Sequence, residues 1–375
     1  MDFSVIVIVV VITALIFDFT NGFHDTANAM AMSITTGALR PKVAVIIAGV
    51  LNLAGAFLSV AVAKTISSGL VDETLITPVT IFAGLVGAII WNLLTWLFGM
   101  PSSSSHALFG GLIGATWVAA GTDGIKFVAV ISKVLLPAVL SPLVAGLIAL
   151  IATRVIYRIT TRADQGIVRR GFKVGQVMSG SMVALAHGTN DAQKTMGIIT
   201  LTLITAGALP AGSGPPFWVI LSAGLAIGLG TYMGGWRIIH TLGKRVSEIH
   251  TQQGFAADTT SAAVILASSH LGFALSTTQV ATGSIFGAGA GRKPASVRWG
   301  TAGRMGLAWL MTLPAAAVIG AVAAWVAAEG TVGTIAVAIA GIAVAGGIYA
   351  ASRRRPITAG NINDTPESQP VSAAA

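Results

Sequence analysis

The chain contains no cysteine, which excludes disulfide bonds and thiolate metal sites. Charged residues are also scarce, at 9% of the sequence, against roughly 25% in a soluble domain. With so few charges the chain cannot present an ordinary hydrated surface. No G-x-x-x-x-G-K-[ST] phosphate loop occurs, and no metal-ligand spacing or nucleophile–base set is found. The sequence therefore argues against ATP hydrolysis and against an enzyme.

What the chain has instead is apolar residues and glycine. Hydrophobic residues make up 54% of it, there are 45 glycines, and the mean hydropathy is +0.83. Glycine is typical of transmembrane helices that pack closely. The 22 basic residues outnumber the 13 acidic ones, but they gather in short segments between apolar runs, as the cytoplasmic loops of membrane proteins do. We therefore predict an all-α polytopic membrane protein in a lipid bilayer, and we exclude nucleic acid as a partner.

A helix needs about 20 apolar residues to span a bilayer. Suitable runs occur at residues 5–36 (with a polar stretch inside), 43–63, 79–98, 103–120, 127–151, 175–206 (again with a polar stretch), 217–239, 259–273, 276–290, 306–327 and 332–350. The runs at 259–273 and 276–290 fit either two crossings or one re-entrant hairpin. If the basic loop at Arg40 and Lys42 faces the cytoplasm and each run crosses once, every other basic loop does so too. This predicts a multi-pass protein of the plasma membrane (the inner membrane of a bacterium), with the N-terminus outside and the C-terminus in the cytoplasm.

Two sequence matches reveal an internal repeat. One aligns Asp25 with Asp191, and the other aligns Ser103 with Ser276. The predicted organisation is a first transmembrane repeat at 1–153, a basic cytoplasmic connector at 154–173, a second repeat at 174–328, an extra helix at 329–351 and a disordered tail at 352–375. Five crossings in each repeat would place the halves in opposite orientations, and such inverted repeats often carry broken or re-entrant helices.

A cluster of hydroxyl side chains opens a predicted helix in each half. The clusters consist of Ser103, Ser104 and Ser105 and of Ser276, Thr277 and Thr278. Serine is a preferred N-cap, and a helix N-terminus binds anions through its free N–H groups and its dipole. Two such ends meeting would surround a tetrahedral oxyanion. The alternative is that the hydroxyls only satisfy backbone groups between packed helices.

The polar stretches at residues 21–28 and 187–194 are suited to a cation rather than to an anion. Asp25, Asn28, Asn190 and Asp191 offer oxygen ligands, and an unwound backbone would add carbonyls, so we expect a cation or proton site here. Asp18 lies seven residues before Asp25, on the same helical face, and joins this candidate site. The alternative is a structural polar network between helices.

The sequences NGFHDTANA at 21–29 and AHGTNDAQK at 186–194 resemble the paired signatures of the inorganic phosphate transporter family, and the resemblance covers about residues 1–330. It implies secondary uptake of inorganic phosphate, coupled to Na⁺ in some members and to H⁺ in others. It also implies that the substrate of bacterial members is either free phosphate or a complex with a divalent metal. By similarity, the Ser/Thr clusters would hold phosphate and the signature Asp and Asn residues the coupling ion.

The second signature departs from the pattern of many Na⁺-coupled members, because Lys194 stands where the first has Asn28. An ammonium group there would repel a cation or replace it beside Asp191. His24, next to Asp25, adds a group that titrates near neutral pH. Both features favour H⁺ over Na⁺, with His24 and Lys194 completing the coupling site, and no tightly bound cofactor is expected.

The predicted function is phosphate import by symport through alternating access. A permease for sulfate or another tetrahedral oxyanion is the alternative on the same scaffold. A passive anion channel or a membrane receptor is the alternative from another class. Assembly into a homo-oligomer is left open.

Overall fold

The computed structural model describes residues 3–246, 249–292, 297–354 and 356–362. Helices make up most of this part of the chain, which contains no β-strand, and the predicted all-α class is confirmed. The tail predicted as disordered lies mostly outside the described residues. The helices are α1 (Phe3–Thr35), α2 (Pro41–Gly55), α3 (Ala61–Gly69), α4 (Pro78–Leu97), α5 (Ser104–Ala120), α6 (Phe127–Val130), α7 (Leu136–Thr160), α8 (Gln165–Thr205), α9 (Phe217–Met233), α10 (Trp236–His240), α11 (Thr251–His270), α12 (Thr277–Gly291), α13 (Trp299–Ala327) and α14 (Thr331–Ser352). A π-turn at Ile131–Leu135 joins α6 to α7.

The two signature stretches lie within α1 and α8, and both helices run through them without a break. The expectation of an unwound backbone there is wrong. The polar side chains are accommodated by hydrogen bonds to other helices, and the Thr26 and Thr189 hydroxyls donate to carbonyls one turn back on their own helices, at 2.7 and 2.8 Å. Because the backbone carbonyls remain in the helical ladder, any ion held here must be held by side chains.

Other boundaries differ from the apolar runs. The run at 43–63 is two helices, since α2 ends at Gly55 and α3 begins at Ala61. The Gln193 side chain from α8 accepts hydrogen bonds from the N–H groups of Val62 and Ala63, at 2.8 and 3.2 Å, and so caps α3. The run at 217–239 bends by 58° between α9 and α10, where Gly234 has a φ of 76°. The segment at 154–173 is helical except between α7 and α8.

Equivalent helices of the two halves make equivalent contacts. Helix α5 packs against α13 and α12 against α7, while α1 packs against α9 and α8 against α2. The glycines match as well. A Cβ on Gly114 would overlap the carbonyl of Ala317, and one on Gly287, its partner in the repeat, would overlap the carbonyl of Gly146. The sequence repeat is thus also a repeat of packing, and small residues let the helices approach closely. The opposite orientation of the halves stays a prediction.

We expect Gly287→Ala to lower the free energy of unfolding by about 1–3 kcal/mol, because the added methyl group has no space at a backbone crossing. Thermal unfolding in detergent measures this. Gly346→Ala is the matched control, since no atom lies within 4 Å of a Cβ at that helical position. Equal melting temperatures for the two variants would contradict the packing argument.

The outer surface of the helices is apolar. Val139, Leu143 and Leu147, spaced one turn apart on α7, are 62%, 65% and 59% exposed. Five helices in the described part of the chain are long and apolar enough to cross a membrane, and a sixth is obtained if the bent pair Phe217–Met233 and Trp236–Lys244 is one span. Large exposed apolar surfaces of this kind are typical of a multi-pass membrane protein.

Candidate functional site

Both Ser/Thr clusters form helix N-termini, as predicted. Ser103 is the N-cap of α5, and its hydroxyl accepts a hydrogen bond from the His106 N–H at 3.1 Å. Ser276 is the N-cap of α12 and accepts from the Gln279 N–H at 3.3 Å. The first N–H groups of each helix have no acceptor within the helix. Each half therefore contributes one positive dipole end with additional hydroxyl donors.

The Asp25 carboxylate on α1 is surrounded by donors from three directions. Ser104 of the first cluster donates to Oδ2 at 2.8 Å, and Thr278 of the second donates to Oδ1 at 3.2 Å. Thr277 lies 3.5 Å from Oδ2. The neighbouring His24 approaches Oδ1 with its Nδ1 at 2.6 Å. Both hydroxyl clusters thus converge on the carboxylate of the first signature.

Asp191 on α8 holds the equivalent position. Lys194 Nζ lies 2.5 Å from its Oδ1, and the Thr277 hydroxyl donates to its Oδ2 at 3.1 Å. The Asn21 amide donates to Oδ2 at 3.4 Å. Thr277 and Ser104 occupy equivalent repeat positions, and each donates to the carboxylate of its own half. Thr277 also reaches Asp25, so one hydroxyl connects the two carboxylates.

His187 lies between the two carboxylates. Its Nε2 is 3.1 Å from Asp191 Oδ2 and 3.8 Å from Asp25 Oδ2. Its Nδ1 lies 3.0 Å from the Asn52 amide oxygen, which therefore orients the ring. Ligand atoms of these two aspartates and His187 all lie within 4.8 Å of one another. A proton or a cation at this point would be shared by both halves of the molecule.

The remaining predicted residues divide into two groups. Ser105 donates to the carbonyl of Leu275, the residue before the second cluster, at 3.3 Å, and Asn28 donates to Thr278 of that cluster at 3.0 Å. Both therefore connect the first half to the start of α12. Asn190 instead donates to Ser269 at 2.9 Å, on the side of α8 that faces α11. Asn190 therefore makes no hydrogen bond to either carboxylate.

All thirteen predicted residues, including Asp18, are buried, and none is more than 4% exposed. The predicted oxyanion site and the predicted coupling site are not separate, because the hydroxyls of one donate to the carboxylates of the other. Because these side chains are almost inaccessible to solvent, we expect helices to move before an ion reaches the cluster.

Several residues of the site were not among the sequence predictions. Asn52 and Asn21 contact His187 and Asp191, while Thr95 and Ser102 lie 3.3 and 3.4 Å from His24 Nε2. Asn52 is an amide inside an apolar run, and that signal could have identified it. The hydroxyls carry no such signal, because Ser and Thr are common in transmembrane helices.

The sequence of the chain is similar to those of known proteins. Residues 21–320 match the model of the phosphate transporter family. A relative from Mycobacterium bovis, named a probable low-affinity inorganic phosphate transporter, is 55% identical over 363 residues, which are 96% of this chain and 87% of the relative. A relative of the same name from Bacillus subtilis is 42% identical over 321 residues, covering 85% of this chain and 96% of the relative.

A solved structure titled "The sodium-dependent phosphate transporter" has the same fold, with a TM-score of 0.78 at 24% identity. The match covers 86% of this chain and 98% of that one. The relatives are named as transporters, in agreement with the prediction that the chain is not an enzyme. The family match spans both signatures and both hydroxyl clusters, and this chain is a multi-pass membrane protein that belongs to the phosphate transporter family.

Proposed function

We propose that the chain imports inorganic phosphate by symport with a cation, H⁺ in preference to Na⁺, through alternating access. The observation that carries the proposal is the meeting of two hydroxyl-capped helix N-termini at two buried carboxylates. Helix N-termini and hydroxyls suit a tetrahedral oxyanion without a permanent positive side chain. Ser103, Ser104 and Ser105 and Ser276, Thr277 and Thr278 bind phosphate in this proposal.

The need to couple phosphate transport to a cation follows from the charges at the site. Phosphate carries about one to two negative charges near neutral pH, and Asp25 and Asp191 lie at the same place. An anion is tolerable there only with positive charge alongside. His24, Asp25, Asn28, Asn190, Asp191 and Lys194 form the coupling site of the proposal. Protons, or cations that screen the carboxylates, would enter with phosphate, and the loaded cluster would then permit the change between outward-open and inward-open forms.

The preference for H⁺ rests on Lys194. Its ammonium group already lies 2.5 Å from Asp191 Oδ1, in the place where a metal cation would compensate that carboxylate. The ligand atoms of Asp25, His187 and Asp191 lie close enough together that they would suit a divalent metal. A metal–phosphate complex should therefore be tested as the substrate beside free phosphate. The protein would act in the plasma membrane, with its N-terminus outside and its C-terminus in the cytoplasm.

The test is uptake of labelled phosphate into proteoliposomes with pH and Na⁺ gradients imposed separately. We expect concentrative uptake when the outside is acidic, and none with a Na⁺ gradient alone. Added Mg²⁺ shows whether a metal accompanies phosphate. A response to Na⁺ alone would reject H⁺ coupling, and flux that ignores both gradients would indicate a channel.

Competition separates phosphate from other oxyanions. Arsenate, which like phosphate carries ionisable hydroxyl groups, should compete with labelled phosphate, whereas sulfate, which has no proton to donate near neutral pH, should not. Strong inhibition by sulfate would favour a broader oxyanion permease.

A further inference from the structure

Asp18 on α1 is a buried carboxyl group that the proposed site does not use. It is fully buried, at 0% exposure, and neither of its oxygens has a hydrogen-bond partner among the described residues. It lies seven residues before Asp25, and hence about 10 Å away along the helix axis and on the same face. An ionised carboxylate buried without a donor is expensive, by several kcal/mol.

The groups that act on Asp18 come from α8. They are the charged or titratable side chains of Asp191, His187 and Lys194, together with the Thr195 hydroxyl, which makes no hydrogen bond within the described part of the chain. Helices α4 and α9 also pack against α1, and neither contains an acid, a lysine, an arginine or a histidine. In α2 the charged residue is Lys42, in the first turn. His187 and Lys194 of α8 are therefore the groups that can compensate a charge on Asp18, and His187 already lies between Asp25 and Asp191.

Asp18 has no acidic counterpart in the second half of the repeat. The alignment that pairs Asp25 with Asp191 pairs Asp18 with Ala184. The symmetric part of the site thus holds two carboxylates, and Asp18 is a third that occurs in one half alone. If the buried polar residues only formed a structural network that follows the repeat, that network would not need Asp18.

The donors around each carboxylate distinguish their roles. An ionised carboxylate can only accept hydrogen bonds, and Asp25 and Asp191 are each surrounded by donors suited to that form. A group that carries a proton across must instead be stable in its neutral form in one state and lose the proton in another. Of these three carboxyl groups, Asp18 is the one whose oxygens make no hydrogen bond to a described residue, and its surroundings favour the neutral acid.

We infer that Asp18 carries the co-transported proton and that Lys194 connects it to the phosphate site. With Asp18 protonated, Lys194 pairs with Asp191, as seen here. When Asp18 releases its proton to water, the ammonium of Lys194 compensates the new charge and its contact with Asp191 weakens. Loss of the proton is thereby transmitted to Asp191, whose carboxylate accepts a hydrogen bond from Thr277. The Thr277 hydroxyl also contacts Asp25. This inference rests on the proposed H⁺ coupling.

The test compares two fluxes in proteoliposomes containing the full chain. Exchange of labelled phosphate at equal pH on both sides needs no net proton movement, whereas accumulation driven by a pH gradient does. In Asp18→Asn, accumulation should fall by about tenfold or more, because an amide cannot bind and release a proton. Exchange should stay within about threefold of the wild-type rate, since the amide has the shape of the neutral acid and the alternation between states persists.

Asp258→Asn is the matched control. Asp258 on α11 is also buried, at 3% exposure, and its Oδ2 also lacks a hydrogen-bond partner, but it lies near Ser33 and Gly180, and no charged group among the described residues acts on it. This variant should keep both fluxes. The inference is overturned if Asp18→Asn accumulates phosphate like the wild type, if it loses exchange as well, or if Asp258→Asn loses accumulation equally. Failure of the proposed function is a different result, namely a wild-type protein that neither exchanges nor accumulates phosphate, or one driven by Na⁺ alone.

Discussion

Replacement of Asp25 by Asn is expected to reduce phosphate uptake by at least about a hundredfold, because it removes the charge on which both hydroxyl clusters converge and leaves their donors without a matching acceptor. Asp25 is the point where Ser104, Thr278 and His24 converge. An amide cannot accept from all of these donors, and it cannot compensate a proton or cation. Asp191→Asn should have the same effect, since it leaves Lys194 buried without its carboxylate.

The measurement is initial uptake of labelled phosphate in proteoliposomes, normalised to the amount of inserted protein. Asp72→Asn is the control. Asp72 lies in the loop between α3 and α4, where hydrogen bonds from the Thr74 hydroxyl and N–H, at 2.7 and 3.0 Å, lower the pKa of its carboxyl group. It should transport normally. Near-normal uptake by both signature variants would remove the two aspartates from the mechanism.

The second large effect is expected at Lys194. In Lys194→Asn, which restores the residue of the first signature, the buried Asp191 loses its counter-ion, and the free energy of unfolding should fall by about 3–5 kcal/mol. A cation that binds the folded form would recover part of this, about 2.7 kcal/mol at a hundred times its Kd. We therefore expect Na⁺ to raise the melting temperature of the variant and not that of the wild type. Accumulation driven by a pH gradient should be lost in the variant.

Thermal unfolding with Na⁺ or with choline as the salt cation measures the first effect, and proteoliposome uptake measures the second. Lys42→Asn, at an exposed lysine in the first turn of α2, controls for loss of positive charge. Lys194 does not select the coupling ion if the melting temperature of the variant is the same in Na⁺ and in choline and if the variant accumulates phosphate normally under a pH gradient.

The local features of the site could be predicted from the sequence. Ser103 and Ser276 are the N-caps that their positions before apolar runs indicate. The repeat also pairs Asp25 with Asp191, and the structure brings both into one buried cluster. Capping and the burial of a polar residue in an apolar run depend on neighbours within a few positions, so they can be recognised without the fold.

Contacts between distant segments could not be predicted. Thr277 lies 252 positions from Asp25 and 86 from Asp191, yet its hydroxyl reaches both. The signatures were expected to unwind, but α1 and α8 remain helical because partners on other helices satisfy their polar side chains. The end of the run at 43–63 likewise depends on the Gln193 side chain of α8.

The all-α membrane class, the two-fold repeat and the identity of the polar residues could be predicted without the fold, because hydropathy, capping and self-similarity depend on the local order of residues. The meeting of the hydroxyl clusters and the aspartates in one buried cluster depends on how distant helices pack. The same packing buries the pair of Lys194 and Asp191 and leaves Asp18 without a hydrogen bond to a described residue. These relations are set by which helix faces meet, and close packing at glycines such as Gly287 determines that meeting.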